Sequence, residues 1–175
     1  TRFVSPTMAW TAARTPVATA WRLASETSMT IEVSKLTQAD LGAAQQLMRD
    51  LGYEIDAAEL AKRFHAVSAY DDHAVFTGRI EDEVLGILHV YQRAALEKPL
   101  EAYVQSLVVS EAKQRTGIGR ALMQAAESWA QARGLSSISL HTSQHREGAF
   151  AFYTREGFEE VFRGRMLRKN LLSGD

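Results

Sequence analysis

Two glycines one residue apart stand between a β-branched run and an amphipathic segment of this chain. The run ends at Val109, the polar turn carries Gly117 and Gly119, and a helical pattern of apolar residues starts at Ile118. The first amides of a helix have no intrahelical acceptor, and the helix dipole makes that end electropositive. The turn therefore predicts an anion cradle, most naturally for a pyrophosphate, because a glycine has no Cβ to keep the backbone away from the ligand.

The spacing of the turn excludes two common phosphate-binding loops. A Walker-type loop ends in Gly-Lys-Ser/Thr, whereas Gly119 is followed by Arg120 and Ala121. A dinucleotide-binding fingerprint needs Gly or Ala three residues after its second glycine, and Leu122 stands there. The pattern that remains is a glutamine followed by the two glycines, Gln114-x-x-Gly117-x-Gly119.

This pattern resembles the Arg/Gln-x-x-Gly-x-Gly/Ala signature of the GNAT family of N-acetyltransferases. A second segment, residues 148–158, resembles the A-x-x-F-Y-x-x-x-G-F helix of the same family, with Phe152 and Tyr153 at its centre. The two motifs stand in the order of the family, with one helix and one strand between them, and the resemblance spans roughly residues 30–170. Within the family the chain is most similar to the small aminoalkylphosphonate-type acetyltransferases, which share its Phe-Tyr-x-x-Glu-Gly ending.

The resemblance implies an α/β (α+β) fold, with a mixed, centrally splayed β-sheet flanked by helices in the order β-α-α-β-β-β-α-β-α-β-β. The hydrophobic periodicity of the chain agrees with this order. It predicts a helix opened by Thr37 and Asp40, a hairpin turning at residues 81–83, a long strand over 100–109 and a closing hairpin over 158–169.

Composition limits the remaining possibilities. The chain has 175 residues, 46% of them hydrophobic, which suits the core of one domain and is too little for two. A formal net charge of −1 argues against nucleic-acid binding through a general basic field. The absence of cysteine excludes a disulfide and a thiol nucleophile, so acyl transfer is direct or uses another nucleophile. No apolar run approaches the ~20 residues that span a bilayer, and we expect no membrane association.

Residues 1–29 differ from the rest of the chain. They carry three arginines against one acid, Glu26, and are rich in Ser, Thr and Ala. This composition is faintly similar to a mitochondrial transit peptide, and the alternative that we prefer is an extension upstream of a start at Met29. We therefore expect an N-terminal extension over residues 1–29, an acetyltransferase domain over residues 30–172 and a cytoplasmic location.

The resemblance further implies that acetyl-coenzyme A (acetyl-CoA) is the acetyl donor. Its pyrophosphate would be held by backbone amides of the glycine turn, and its pantetheine arm would lie between two splayed strands. Ser143 stands where relatives have an asparagine that contacts the donor. The expected donor-binding residues are Leu107, Val108, Val109, Gln114, Arg115, Thr116, Gly117, Ile118, Gly119, Arg120, Ser143 and Tyr153.

Acetyl transfer to an amine also needs an oxyanion donor and a proton for the departing thiolate. We expect the backbone amide of Val109 to stabilise the oxyanion, an interaction that can lower a barrier by ~3 kcal/mol. Tyr153 is the expected general acid, because a phenol with a pKa of ~10 matches an alkyl thiol. An aromatic residue of the core is the structural alternative for Tyr153.

The general base is where the chain departs from the commoner pattern. Many relatives carry glutamate on the strand before the turn, at the positions of Tyr103 and Gln105. The remaining candidates are Glu101, His89, Glu97 and a water chain held by Tyr103 and Gln105. We expect Glu101 or the water-mediated route.

The resemblance thus implies an enzyme that transfers an acetyl group from acetyl-CoA to the primary amine of a small molecule, by direct attack in a ternary complex. It also implies a homodimer. Two alternatives stay open: a protein or peptide acceptor, and a non-catalytic acyl-CoA sensor that would not need the missing glutamates. His141 and His145 straddle a strand end and a loop with no third ligand nearby, so we expect no metal.

Overall fold

The computed structural model of the chain describes residues 30–143 and 145–171. The expected N-terminal extension over residues 1–29 and the last residue of the expected domain, at 172, lie outside the described residues. Five strands form one sheet in chain order; they are β1 (Ile31–Lys35), β2 (His73–Ile80), β3 (Glu83–Arg93), β4 (Glu101–Val109) and β5 (Ile138–Leu140). Four α-helices accompany them; they are α1 (Leu41–Asp50), α2 (Ala57–Ser68), α3 (Ile118–Gln131) and α4 (Glu147–Arg155).

The sheet is mixed, as expected. Strands β1 to β4 pair antiparallel in sequence, and β5 then pairs parallel to β4. A parallel pair needs a long crossover, which the amphipathic helix α3 supplies. The predicted hairpin turns between β2 and β3, and the predicted long strand is β4, so both predictions are confirmed.

The helices cover the two faces of the sheet. On one face, Ile118 and Leu122 of α3 pack in a cluster with Leu88 and Val90 of β3. On the other face, the apolar side of α1 packs against Ile87 and Val108. Because adjacent strand residues point to opposite faces, both faces of β3 and β4 are buried near their centres.

The first helix begins where Thr37 and Asp40 predicted. The backbone N–H and the hydroxyl of Thr37 both donate to Oδ2 of Asp40 at 2.8 Å, and a short 3-10 turn at Gln38–Asp40 leads into α1. Arg79 of β2 donates to the other oxygen of Asp40 at 2.6 Å. The capping carboxylate therefore also fixes the start of α1 to the sheet.

A pair of glycines in the sheet receives the first turn of α3. Gly78 of β2 and Gly86 of β3 are register partners. A Cβ on Gly78 would lie 2.7 Å from Cγ2 of Ile118, and one on Gly86 would lie 2.8 Å from the same atom. These distances are shorter than real Cβ contacts, so the missing side chains allow α3 to approach the sheet closely.

The closing hairpin expected over residues 158–169 does not form, and that prediction was wrong. The described residues 158–171 contain no strand, and the observed order ends after α4. Two physical reasons are visible. Strand β5 offers an edge of only three residues, and apolar residues stand side by side in the segment, as in Val161-Phe162, so neither face of a strand would be apolar throughout.

The glycine pair generates a stability prediction. Gly86→Ala should lower the free energy of unfolding by about 1–3 kcal/mol, because the added Cβ meets Ile118, Leu122 and the carbonyl oxygen of Val108. Urea denaturation followed by circular dichroism measures the loss. Gly42→Ala is the matched control, since nothing lies within 4 Å of a Cβ there and alanine favours the helix. Equal stability of the two variants would contradict the close approach.

Candidate active site

The turn before α3 has the backbone that its glycines predict. Gly117 adopts a left-handed φ of +96°, and Arg115 is also left-handed at +64°. The hydroxyl of Thr116 donates to the carbonyl oxygen of Lys113 at 2.7 Å and closes the turn. Among the described residues, no acceptor takes a hydrogen bond from the amides of residues 115–120. Such a row of amides at the start of a long helix fits an anionic group.

The second glycine of the turn serves packing between helices. A Cβ on Gly119 would lie 3.3 Å from Cζ of Phe152 in α4 and 3.7 Å from Cγ2 of Val109. Arg120, the next residue, donates from Nε to Glu156 at 3.0 Å. A phosphate would therefore compete with Glu156 for the side chain of Arg120, whereas its backbone amide stays available.

Strands β4 and β5 separate as the resemblance implies. They pair only at Ala102, Tyr103 and Val104, whose partners are the three residues of β5. Beyond that point β4 continues to Val109 while β5 ends at Leu140. The two strands thus leave an opening along the second half of β4.

The amides of β4 that face this opening follow from strand alternation. The amide of Ser110 donates to the carbonyl oxygen of Leu85 in β3 at 2.8 Å. Because successive amides of a strand point to opposite edges, those of Val109 and Leu107 point away from β3, toward the opening. Val108 has its side chain in the α1 cluster, and its amide faces β3. Val109 and Leu107 therefore have the orientation that an extended, amide-containing ligand requires.

Tyr153 of α4 lines a cavity of about 710 Å³ beside β5. Its ring packs edge-on against Phe152 and Phe158, with centroids 5.2 and 5.8 Å apart. Burial raises the pKa of the phenol, and Arg146 opposes this effect. The hydroxyl therefore stays protonated at neutral pH, as a general acid must. Ser143 lies near the start of α4, with its hydroxyl oxygen 3.4 Å from the amide of His145.

Glu101 is held by two cations. Its Oε1 accepts from Nε of Arg93 at 2.8 Å and lies 2.7 Å from Nζ of Lys98. Burial alone would raise the pKa of this carboxyl, but the hydrogen bonds from Lys98 and Arg93 outweigh it and hold the pKa below its ordinary value. A carboxylate so paired is a weak base, and the geometry suits a structural ion pair between β3 and β4.

A row of aromatic and imidazole rings crosses the sheet, and the sequence did not predict the contacts within it. His73 of β2 stacks on Tyr91 of β3 with centroids 4.9 Å apart, and Tyr91 contacts Tyr103 of β4 at 5.4 Å. Tyr103 in turn donates or accepts a hydrogen bond with Nδ1 of His141 at 2.8 Å. Strand parity could have placed His73, Tyr91 and Tyr103 on one face, but their registers were not known.

Two imidazoles of this row, those of His73 and His89, lie within hydrogen-bond distance of each other. Nδ1 of His73 and Nε2 of His89 are 2.9 Å apart. Burial and the neighbouring His73 lower the pKa of His89 to about 4. His89 is therefore neutral at neutral pH, and as a weak base already hydrogen-bonded it is poorly suited to accept a proton from substrate.

Residues 30–143 and 145–171 meet neither the requirements of a metal site nor those of a membrane-spanning helix. No group of three or more His, Asp or Glu side chains there could hold a metal ion. In the same part of the chain, no helix has the length and apolar character that crossing a membrane requires.

Comparisons with known proteins agree with this geometry. The family model described as "Acetyltransferase (GNAT) family" matches residues 40–158. The uncharacterized N-acetyltransferase YhdJ of Bacillus subtilis (strain 168) is 24% identical over 125 residues, which cover 71% of this chain and 88% of that protein.

Solved structures share the fold. AAC(6')-Iy in complex with the bisubstrate analogue CoA-S-monomethyl-acetylneamine has a TM-score of 0.72 and 15% identity, covering 81% of this chain and 99% of that one. A putative acetyltransferase from Agrobacterium tumefaciens str. C58 has a TM-score of 0.72 and 21% identity, covering 79% and 99%. At such identities the similarity establishes the fold alone.

The His89 pair generates a prediction for acid stability. The folded pKa of about 4 lies below the ordinary 6.5, so the unfolded chain binds the proton first as the pH falls. Above the ordinary pKa His89 is neutral in both the folded and the unfolded chain, and the free energy of unfolding is not reduced. It falls as the pH drops from the ordinary pKa to the folded pKa, because only the unfolded chain is then protonated at this residue. The free energy of unfolding should therefore fall less between about pH 7 and about pH 5 in His89→Gln than in the unmodified protein, by about 2 kcal/mol.

Urea denaturation at both pH values measures the effect. His65→Gln is the matched control, because His65 is exposed on α2 and should leave the acid sensitivity unchanged. An acid loss in His89→Gln as large as in the unmodified protein would contradict the assignment.

Proposed function

Because this chain belongs to the acetyltransferase (GNAT) family, we propose that it transfers an acetyl group from acetyl-CoA to the primary amine of a small molecule, by direct attack in a ternary complex. The family membership makes the chain an acyltransferase. The observation that carries the finer proposal is the row of amides over residues 115–120, at the start of α3, for which the described part of the chain offers no acceptor. A pyrophosphate is the anion that such a row accommodates best.

The rest of the donor fits the opening beside β4. A pantetheine arm carries two amide groups, and the outward amides of Leu107 and Val109 would pair with it as a strand would. The solved structure of AAC(6')-Iy holds an analogue that contains CoA, which supports the same donor for this fold. Gln114 and Ser143, at the two ends of this path, remain predicted contacts.

The chemistry uses groups that border the opening. The neutral amine attacks the thioester carbon, a C–N bond forms, and a backbone amide of β4 that faces the opening stabilises the oxyanion. The C–S bond then breaks, and the thiolate takes the proton of the Tyr153 phenol. Burial raises the pKa of Tyr153, so the proton is present at neutral pH when the thiolate needs it.

A small amine acceptor, a homodimer and a cytoplasmic location complete the proposal. The analogue bound by AAC(6')-Iy combines CoA with acetylneamine, which supports a small acceptor. Exposed apolar side chains of the C-terminal segment support association with a second copy, because such patches mark interfaces. These side chains are Val161, Phe162, Met166, Leu167 and Leu171.

Release of free thiol from acetyl-CoA tests the proposal. The panel of acceptors contains an aminoglycoside, a polyamine, an aminoalkylphosphonate, an amino acid and a lysine-containing peptide. We expect turnover with at least one of the small amines. Turnover with the peptide alone would indicate a protein acceptor in place of a small amine. Donor binding without turnover on any amine would overturn the proposal.

Tyr153→Phe separates acid catalysis from binding. We expect kcat to fall at least about tenfold, because the thiolate then leaves without a proton. The ring contacts with Phe152 and Phe158 remain, so the melting temperature and the dissociation constant for CoA should be unchanged. Steady-state kinetics and calorimetry measure these quantities, and an unchanged kcat would remove Tyr153 from the reaction.

Gly117→Ala tests the amide row itself. Alanine is strained at a φ of +96°, and relaxing that strain turns the amides away, so CoA should bind roughly tenfold more weakly. Gly134→Ala is the matched control, because Gly134 is also left-handed, at +70°, beyond the other end of α3. Calorimetry should show normal CoA binding for Gly134→Ala, and an equal loss in both variants would contradict the cradle.

A further inference from the structure

The tyrosine–histidine pair of Tyr103 and His141 lies where the sheet opens. The last paired residues of β4 and β5 are Val104 and Leu140. Tyr103 immediately precedes the first of these, and His141 immediately follows the second. The 2.8 Å hydrogen bond between Oη of Tyr103 and Nδ1 of His141 therefore spans the two strands at the point where they part.

The surroundings decide which atom holds the proton. Burial raises the pKa of the Tyr103 phenol, and the guanidinium of Arg93, 4.2 Å from the ring centroid, opposes this. The phenol thus keeps its proton at neutral pH and can donate it to Nδ1 of His141. When Tyr103 is the donor, Nδ1 is the acceptor nitrogen and the proton of the neutral imidazole is on Nε2.

His141 is exposed and shares the cavity beside β5 with Tyr153. Most of the charged groups that line this cavity are paired; they are Arg93 and Lys98 with Glu101, Arg163 with Glu160, and Glu156 with Arg120. Glu127 and Glu159 complete the charged lining. Solvent therefore reaches the imidazole, and the nearby cations are largely neutralised by their own partners.

Resting on the proposed acetyl transfer, we propose that Tyr103 and His141 form the relay that removes the proton of the attacking amine. The acceptor ammonium gives a proton to Oη of Tyr103 as the Tyr103 proton passes to Nδ1 of His141. The imidazolium then releases the proton of Nε2 to solvent, and Tyr103 keeps the proton that it received from the amine. Exchange with solvent, which removes the proton of Nδ1 and returns one to Nε2, restores the starting tautomer.

The proton balance closes over the whole reaction. An ammonium acceptor loses two protons when it becomes an amide. The relay carries the first to solvent before attack, and the second leaves the nitrogen after the C–N bond has formed. The thiolate receives the Tyr153 proton, and the second proton restores the Tyr153 phenol through solvent.

Tyr103 is the catalytic residue of the pair, since it would touch the amine, and His141 is the positioning residue that takes the proton from it. Imidazole is suited to this task because it ordinarily gains and loses a proton near neutral pH. The alternatives are less suitable, because Glu101 is bound by Arg93 and Lys98 and His89 has a pKa of about 4.

The pH dependence of turnover tests the relay. With an amine that the unmodified protein acetylates, Tyr103→Phe and His141→Gln should each lower kcat at least about tenfold, while the dissociation constant for CoA stays unchanged. His141→Gln should also shift the acidic limb of the kcat/KM profile to higher pH, because only amine that is already neutral in solution can then react. The double variant should be no slower than the slower single variant, because the two residues act as one unit.

Two controls separate a relay from a structural role. Tyr91→Phe removes a neighbouring hydroxyl on the same face and should turn over normally. His141→Ala should regain turnover when imidazole is added, since solvent reaches the site. An unshifted acidic limb in His141→Gln, or multiplicative losses in the double variant, would overturn the relay while acetyl transfer stands. Absence of turnover with every amine would instead overturn acetyl transfer, and the relay with it.

Discussion

The packing of Ile118 and Leu122 of α3 on the glycine pair of β2 and β3 is the constraint on which the site depends. Because Gly78 and Gly86 lack side chains, α3 approaches the sheet at its first turn. The same turn carries the amides that find no acceptor among the described residues, and it follows the end of β4. Burial of two apolar side chains therefore sets the distance between the anion cradle and the open edge of the sheet.

Strand β4 has two different edges, and both are needed. Its edge toward β3 is paired from Glu101 to Val109 except at Gln105, where the register shifts, and the neighbouring bond from Ser110 to Leu85 fixes Val109. Its edge toward β5 is paired only as far as Val104. A strand bound on both edges could not accept a ligand, and one bound on neither would not hold its amides in place. Half-pairing therefore gives a rigid strand with free donors.

Local features could be predicted from the sequence, and long-range ones could not. The glycine turn before α3 and the Thr37–Asp40 cap depend on residues a few positions apart, so motif and spacing predicted them. The bond between Tyr103 and His141 joins residues 38 positions apart, and depends on a register that periodicity leaves undetermined. The ion pairs of Glu101 and the absence of strands from the described residues 158–171 could not be predicted for the same reason, since both depend on which partner faces the segment.

Burial differs between the side chains that we propose as general acid and as proton acceptor, and this difference suits the opposite tasks proposed for them. Tyr153 packs against Phe152 and Phe158, and burial raises the pKa of its phenol. The proposed acid is therefore protonated at neutral pH. His141 is exposed, so a proton that reaches it can leave to solvent. An exposed acid would exchange its proton with water, and a buried base would retain a charge that burial disfavours. The fold achieves this separation by placing one group in a helix and the other just beyond the end of the short strand β5.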